Sequence, residues 1–388
     1  MSNLPAVSIV CPNVGSNALG RAMLLAQLLE THTSVRLVGV CRGPKIWGPA
    51  ASLSVPIESF PLSSHARYSP AAIAWLRRTV GRDLVVVSKT LPHSLGFALA
   101  AGIGLGRMVI DIDDWESGFA QLRANEELAP SELRRARRES LRRRLGFNAF
   151  AATCLLEAVT RRAPHRLVSN RWLQSRFGGD ILYHVRDPAE LDPLKAKRPP
   201  EMSLSSDRPW VAFVGTPRRH KGLDVLVEAL VRVSGPAAPG LVLMGADPSA
   251  QGTIEAARSR LPNRFAVIDQ FPFDRLADYL SLADIIAIPS LNVASAWGQI
   301  PAKLFDALAM AKPVVVSDIN DMREIADGCG LVVPPGDVGA LSDAVERLSA
   351  DETLRRTLGR AGREKFLSRF THAAGREVLL KAVRRAAA

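Results

Sequence analysis

Cysteine is scarce: the 388 residues hold four, Cys11, Cys41, Cys154 and Cys329. They lie far apart, with no Cys-x-x-Cys pair and no Cys/His cluster. That excludes a disulfide framework and a sequence-coded zinc site, and it predicts a reducing compartment, the cytoplasm. Long apolar runs are missing too. The run from Ala6 to Cys11 stops at Pro12 and has no basic stretch before it, so it is too short for a secretory signal. The longest run, Leu91 to Gly106, carries Pro92, His93 and several glycines and ends at Arg107, short of a membrane-spanning helix. No Walker signature, no G-x-G-x-x-G behind a strand and no fixed-period repeat occur.

What is present sets a frame. At about 150 residues per domain, the chain makes two domains of ordinary size. Apolar residues make up 47% and charged residues 23%, a globular balance that excludes a disordered, collagen-like or coiled-coil chain. Fifty Lys and Arg against thirty-eight Asp and Glu leave +12, a surface suited to polyanions: a nucleoside diphosphate, nucleic acid or an acidic membrane face.

Short β-branched runs at 8–11, 35–40, 84–87, 108–112, 210–214, 241–244, 265–268, 285–288, 313–316 and 331–333 alternate with helical patterns. Strands that are apolar on both faces and separated by helices predict an α/β chain with parallel, doubly covered sheets. The same rhythm in both halves predicts two doubly wound, Rossmann-like domains, 1–190 and 210–365. A polar, proline-rich linker is expected at 191–209 and a closing helix at 366–388. Ligands of such sheets sit beyond the carboxyl ends of strands, so a central cleft faced by both domains is the expected site.

Residues 210–230 carry the strongest signal. An apolar strand, a glycine turn and a basic loop lead into a helix whose Leu223, Leu226, Val227 and Leu230 follow the i, i+3, i+4, i+7 spacing. Gly215 and Gly222 let backbone approach a ligand, while Arg218, Arg219 and Lys221 supply a fork and a point charge for phosphate. A solvated basic loop would read the same way.

FVGTPRRHKGLDVL (213–226) resembles the start of the C-terminal domain of family-4 retaining glycosyltransferases of the GT-B fold. LVLMGAD (241–247), DYLSLADIIAIPS (278–290) and the block from Pro301 to Asp337 continue the resemblance in order, over roughly 208–365. The N-terminal half matches weakly. The resemblance implies a GT-B architecture whose C-terminal helix returns to the N-domain. It also implies transfer of a sugar from a nucleotide-diphosphate sugar such as a UDP-sugar, the base itself left open, with retention, without a metal and with no other cofactor.

Carried over by position, Lys221 matches the family's diphosphate-binding lysine. The arginine expected after the glycine is Thr216, so Arg218 is the substitute. The family's Glu-x7-Glu pair falls on Gly298 and Asp306: the second acid, which grips the ribose, is a shorter carboxylate, and the first is absent. Lys303 sits in the first turn of a helix opened by Pro301, where a cation makes sense if an anion shares the site. The loop 270–274 resembles the segment that holds the base, although Phe271 reads equally as core.

In the N-terminal half, Gly15 and Gly20 precede a helix and resemble the family's glycine loop, or a plain turn. Arg21 follows, as added charge or as an exposed side chain. MVIDIDDWES (108–117) ends a strand in three carboxylates. Asp111 and Asp113 form an Asp-x-Asp string, but no metal is assigned to it. Asp113 or Asp114 is expected to orient or deprotonate the acceptor hydroxyl, and carboxylates crowded there without compensating cations would raise one another's pKa. His93 lies near another strand's carboxyl end.

Seven arginines crowd 134–144, followed by an apolar run, within a basic stretch at 131–162. Arginines on several faces next to apolar residues predict attraction to an anionic membrane surface, and the absence of interleaved aromatics weighs against nucleic acid. The expected partners are a nucleotide sugar and a glycan, lipid-linked or small-molecule acceptor, at a cytoplasmic or peripheral inner-membrane location. A sugar-nucleotide 2-epimerase and a degenerate nucleotide-sugar binder are the rival readings, the latter because Gly298 replaces an acid.

Overall fold

A computed structural model of the chain describes residues 4–43, 45–62, 69–119, 149–200, 202, 204–235, 238–246, 250–269 and 271–388. Every strand expected from the apolar runs forms. In the first half these are β1 (Val7–Cys11), β2 (Val35–Cys41), β4 (Leu84–Ser88) and β5 (Met108–Ile112). In the second half they are β8 (Trp210–Val214), β9 (Gly240–Met244), β10 (Phe265–Ile268), β11 (Ile285–Ile288), β12 (Val314–Ser317) and β13 (Gly330–Val333). Three more strands lack an apolar signature. β3 (Ile57–Pro61) is a partly exposed edge strand ending in proline, and β6 (His165–Val168) and β7 (Asp180–Ile181) are short and begin with polar residues.

The first sheet runs β3-β2-β1-β4-β5-β6-β7 and the second β10-β9-β8-β11-β12-β13, with every pairing parallel. Both are doubly wound. In each, strand order reverses beside the first strand, at β1/β4 and at β8/β11, and a crevice opens there at the carboxyl ends. β1, β4, β5, β9 and β11 are buried along their whole length, as parallel strands covered on both faces must be.

The helix Leu223–Arg232 buries the four residues that the helical spacing singled out, Leu223, Leu226, Val227 and Leu230, against a core that includes Val211, Phe213 and Leu243. Each such aliphatic side chain contributes roughly 1.5–3 kcal/mol.

The chain divides into a first unit, Met1–Tyr183 with Gly375–Ala388, and a second, His184–Ala374. The segment read as a linker at 191–209 therefore lies inside the second unit, for a physical reason. Leu191 is buried and its carbonyl accepts from Arg363 Nη1 at 2.7 Å; Lys197 N–H donates to Asp278 at 2.8 Å; and the Trp210 indole donates to Ser205 O at 2.9 Å. The polar composition that suggested a linker belongs to a strap tied down by hydrogen bonds.

The closing segment also starts later than 366. The helix Glu352–Arg369 stays on the second unit, where a Cβ at Gly359 would come within 2.1 Å of Ala311 O. The helix His372–Ala387 returns to the first unit, burying Leu379 and Val383, and Arg376 donates to Leu28 O at 3.1 Å.

Candidate functional site

In the second unit, β8 is followed directly by Gly215 at φ +91°, its N–H donating to Met244 O at 2.7 Å. The neighbouring β9 is followed by Gly245 at φ +78°, whose N–H donates to Ile268 O at 2.8 Å. A Cβ on Gly245 would stand 3.6 Å from Gly215 Cα, so the two turns lie against each other. Gly222, at φ +71°, closes the turn Arg219–Lys221 so tightly that a Cβ would lie 2.0 Å from Pro289 O. Only glycine fits there, and that close approach aims the basic turn at the carboxyl end of β8.

Two ammonium groups meet at this point. Lys221 Nζ donates to Thr216 O at 2.8 Å, and Lys303 Nζ donates to Val214 O at 3.1 Å while standing 4.3 Å from the centroid of the Phe213 ring. A Cβ on Gly215 would be 3.8 Å from Lys221 Nζ. Three consecutive residues, Val214 to Thr216, thus carry both cations. Burial, and then the neighbouring Lys221 ammonium, push the Lys303 pKa well below the usual lysine range. Lys303 enters from the first turn of the helix Ala302–Ala309, capped by Pro301, where a positive dipole end again favours an anion. Arg218 is exposed at the start of the basic turn.

Asp306, on the same helix, is buried and accepts from Arg186 Nε at 2.5 Å. Arg186 is itself fixed: its N–H donates to Phe370 O and its carbonyl accepts from His372 N–H. The ribose carboxylate expected from the sequence is therefore engaged by a guanidinium. Gly298 ends the short helix Ala294–Trp297. Phe271 is half-buried and stacks on Tyr279 at 4.2 Å between centroids.

In the first unit, the polar residues gather beyond β1, β4 and β5. Arg21, expected as added charge or an exposed side chain, is buried and grips Asp111 with both arms, at 2.9 and 2.8 Å, while donating to Leu182 O at 2.8 Å. Lys89 follows β4 at φ +69° and reaches three carboxylates: Asp113 at 2.9 Å, Asp114 at 2.5 Å and Glu116 at 3.5 Å.

Compensating cations are thus present, contrary to the expectation of uncompensated crowding, and the two acids of the Asp-x-Asp string go to different partners. Among the described residues, the one set of side chains spaced for a metal is Asp113, Asp114 and Glu116, with oxygens within 4.8 Å of one another, and the Lys89 ammonium stands among them. Burial works against that ammonium, but the three acids outweigh it and hold its pKa well above the usual range. Glu116 is pushed up to about 7 by burial, with Asp114 and Asp113 adding to the effect and Lys89 opposing it.

Nearby, Asn13 Oδ1 accepts from the N–H groups of Gly15 and Arg42, each at 3.0 Å. Arg42 Nη2 lies 2.5 Å from His93 Nε2, and burial, then that guanidinium, lower the His93 pKa to about 4. Lys89, Glu116, Arg42 and Arg186 were missed in the sequence. Lys89 alone offered a signal, a lysine directly after an apolar strand.

Residues 131–148 of the basic stretch 131–162, including its seven arginines at 134–144, lie outside the described residues; within the rest, Leu155 is exposed and Leu156 buried. No helix among the described residues is long and apolar enough to cross a membrane, and all four cysteines are free thiols.

Residues 208–351 match the family described as "Glycosyl transferases group 1". The D-inositol 3-phosphate glycosyltransferase of Xylanimonas cellulosilytica is 32% identical over 169 residues, 42% of this chain and 39% of that protein. The alpha-maltose-1-phosphate synthase of Mycolicibacterium smegmatis is 31% identical over 203 residues, 48% of this chain and 51% of that protein. The chain thus spans about half or less of the length of the curated relatives it matches.

Whole-chain likeness comes from solved structures. Anabaena HepE in complex with UDP and glucose superposes with a TM-score of 0.71 at 14% identity, covering 98% of this chain and 99% of that one. A Rickettsia africae glycosyltransferase gives 0.70 at 13% identity, covering 99% of each chain. The fold is that of GT-B glycosyltransferases.

Proposed function

We propose that this chain is a group 1 glycosyltransferase that moves a sugar from a nucleoside-diphosphate sugar to an acceptor hydroxyl. The observation that carries the reading is the convergence of Lys221 and Lys303 on Val214–Thr216, beside a glycine turn and a helix start. Two ammonium groups this close repel, and one of them is buried; a diphosphate oxygen bound by both would offset burial and repulsion together.

As the glycosyl–oxygen bond breaks, negative charge grows on the departing diphosphate. Lys221, Lys303 and the start of the helix Ala302–Ala309 stabilise it where it develops, which lowers the barrier. Arg218 is exposed on the same turn and can close over the phosphates. Asp306 is the carboxylate nearest in role to a ribose clamp, sharing its oxygens with Arg186.

In the first unit Asp113 and Asp114, held by Lys89, accept the hydrogen of the acceptor hydroxyl and orient its oxygen, with Gly15 in the loop that follows β1. The sugar is transferred with retention and without a metal. UDP is the preferred nucleotide, on the likeness to structures that hold UDP. A glycan, lipid-linked or small-molecule hydroxyl serves as acceptor, and the arginines of 131–162 bring the chain to an anionic membrane surface.

Calorimetry with UDP tests the donor site. Lys221→Ala should weaken binding by about 2 kcal/mol, the loss of one charge-assisted contact. An unchanged affinity would remove Lys221 from the site, and no UDP, GDP or TDP binding by the unaltered chain would sink the reading.

A further inference from the structure

We propose that Lys89 is the positioning residue of the first unit's carboxylate cluster, its ammonium standing where a divalent ion would stand and fixing Asp113 and Asp114 toward the acceptor. The role in transfer rests on the reading of those two acids given above. The placement of the ammonium rests on geometry alone.

Three carboxylates whose oxygens lie within 4.8 Å of one another repel strongly unless a cation sits among them. Lys89 Nζ meets all three at 2.5–3.5 Å, and an ammonium has three N–H donors to offer them. Arg21, the other cation of the cluster, is committed to Asp111 and to the carbonyls of Leu182 and Tyr183. Lys89 is therefore the cation that serves Asp113, Asp114 and Glu116.

The backbone points the same way. At φ +69° Lys89 occupies a left-handed conformation that glycine would adopt freely and a long side chain avoids. The conformation is held by Lys89 N–H donating to Asp111 O at 2.9 Å and by Ser94 Oγ donating to Lys89 O at 2.6 Å. Strained backbone that carries a charged side chain into a buried cluster is characteristic of functional sites. Lysine suits the task as a compact point charge on a flexible stem. The side chain is only 12% exposed, so its field is poorly screened by water.

The test uses the full chain with Lys89→Met and Lys89→Arg, probed with Mn²⁺ by paramagnetic resonance and with UDP by calorimetry. Lys89→Met vacates the centre of the cluster and should bind one Mn²⁺ at least tenfold more tightly than the unaltered chain. Lys89→Arg keeps the charge and should not, and adding Asp113→Asn to Lys89→Met should abolish the uptake. UDP affinity should stay within twofold in all of these, because Lys221 and Lys303 are untouched. UDP release from the sugar nucleotide that best stabilises the chain, with water as acceptor, should fall at least a hundredfold in Lys89→Met. Lys89→Arg should recover part of it.

Lys89→Met that takes up Mn²⁺ no more tightly than the unaltered chain overturns the placement. Turnover unchanged in that variant overturns the positioning role. If the unaltered chain releases UDP from no sugar nucleotide, the transferase reading falls by itself, and the Mn²⁺ arm still decides where the ammonium stands. A folding defect would show as lost UDP binding; the strain-free Lys89→Gly then takes the place of Lys89→Met.

Discussion

Lys303→Met should separate stability from binding. In the ligand-free protein the Lys303 ammonium is disfavoured twice, by burial and by Lys221. Methionine is of similar length and apolar, so it removes both penalties and keeps a sulfur against Phe213. The loss is one hydrogen bond to Val214 O, worth about 1 kcal/mol. The two effects oppose, and the midpoint of unfolding should move by no more than the equivalent of about 1 kcal/mol.

Binding has no such compensation. An ammonium that donates to a diphosphate oxygen contributes about 1.5–3 kcal/mol, so the UDP dissociation constant should rise roughly 10- to 150-fold. Proton linkage supplies an independent sign. A bound anion lifts the depressed pKa of Lys303, so UDP binding takes up protons, and affinity falls as pH rises through the depressed value. Calorimetry in two buffers of different ionisation heat should show that uptake in the unaltered chain and little of it in Lys303→Met. A dissociation constant within twofold, or equal proton uptake by both proteins, would refute the reasoning.

Glu116 titrates near 7 in the folded chain against 4.5 ordinarily, so its contribution to stability is fully present below pH 4.5 and is lost as pH rises through 7. Glu116→Gln should therefore gain on the unaltered protein between pH 5 and pH 8, by up to roughly 3 kcal/mol in urea unfolding; a constant difference would show that the carboxyl is not perturbed. Asp306→Asn leaves the Arg186 guanidinium without its carboxylate and should cost about 3–5 kcal/mol of stability. If Asp306 also holds the ribose, the same variant weakens UDP but not pyrophosphate, and equal loss for both would deny it that role. Chelator should leave turnover intact; activity abolished by EDTA and restored by Mn²⁺ would put a metal among Asp113, Asp114 and Glu116. The chain should sediment with acidic vesicles and less so as salt rises, at about 1 kcal/mol per engaged arginine; binding unaltered when Arg142, Arg143 and Arg144 become Glu would leave them as surface charge.

Local pattern was enough for the architecture. The runs 84–87 in β4 and 285–288 in β11 are apolar on every residue, and only a strand covered on both faces makes sense of that, so parallel doubly wound sheets followed directly. The glycine turn and the basic turn after it were legible as local structure for the same reason, since a strand, a tight turn and a helix start all lie within a dozen residues. The linker was misread because composition reports polarity and cannot report that Lys197 and Leu191 are tied to Asp278 and Arg363.

Charge pairing was beyond the sequence altogether. Arg21 and Asp111 are ninety positions apart, and Arg186 and Asp306 a hundred and twenty. Nothing in the spacing of either pair distinguishes a buried clamp from an exposed side chain. Periodicity is set by the backbone's own repeat and can be read in a short window. The ionisation and orientation of a carboxylate depend on whichever cation the sheet topology carries to within about 3 Å of it, and the chain settles that only by folding.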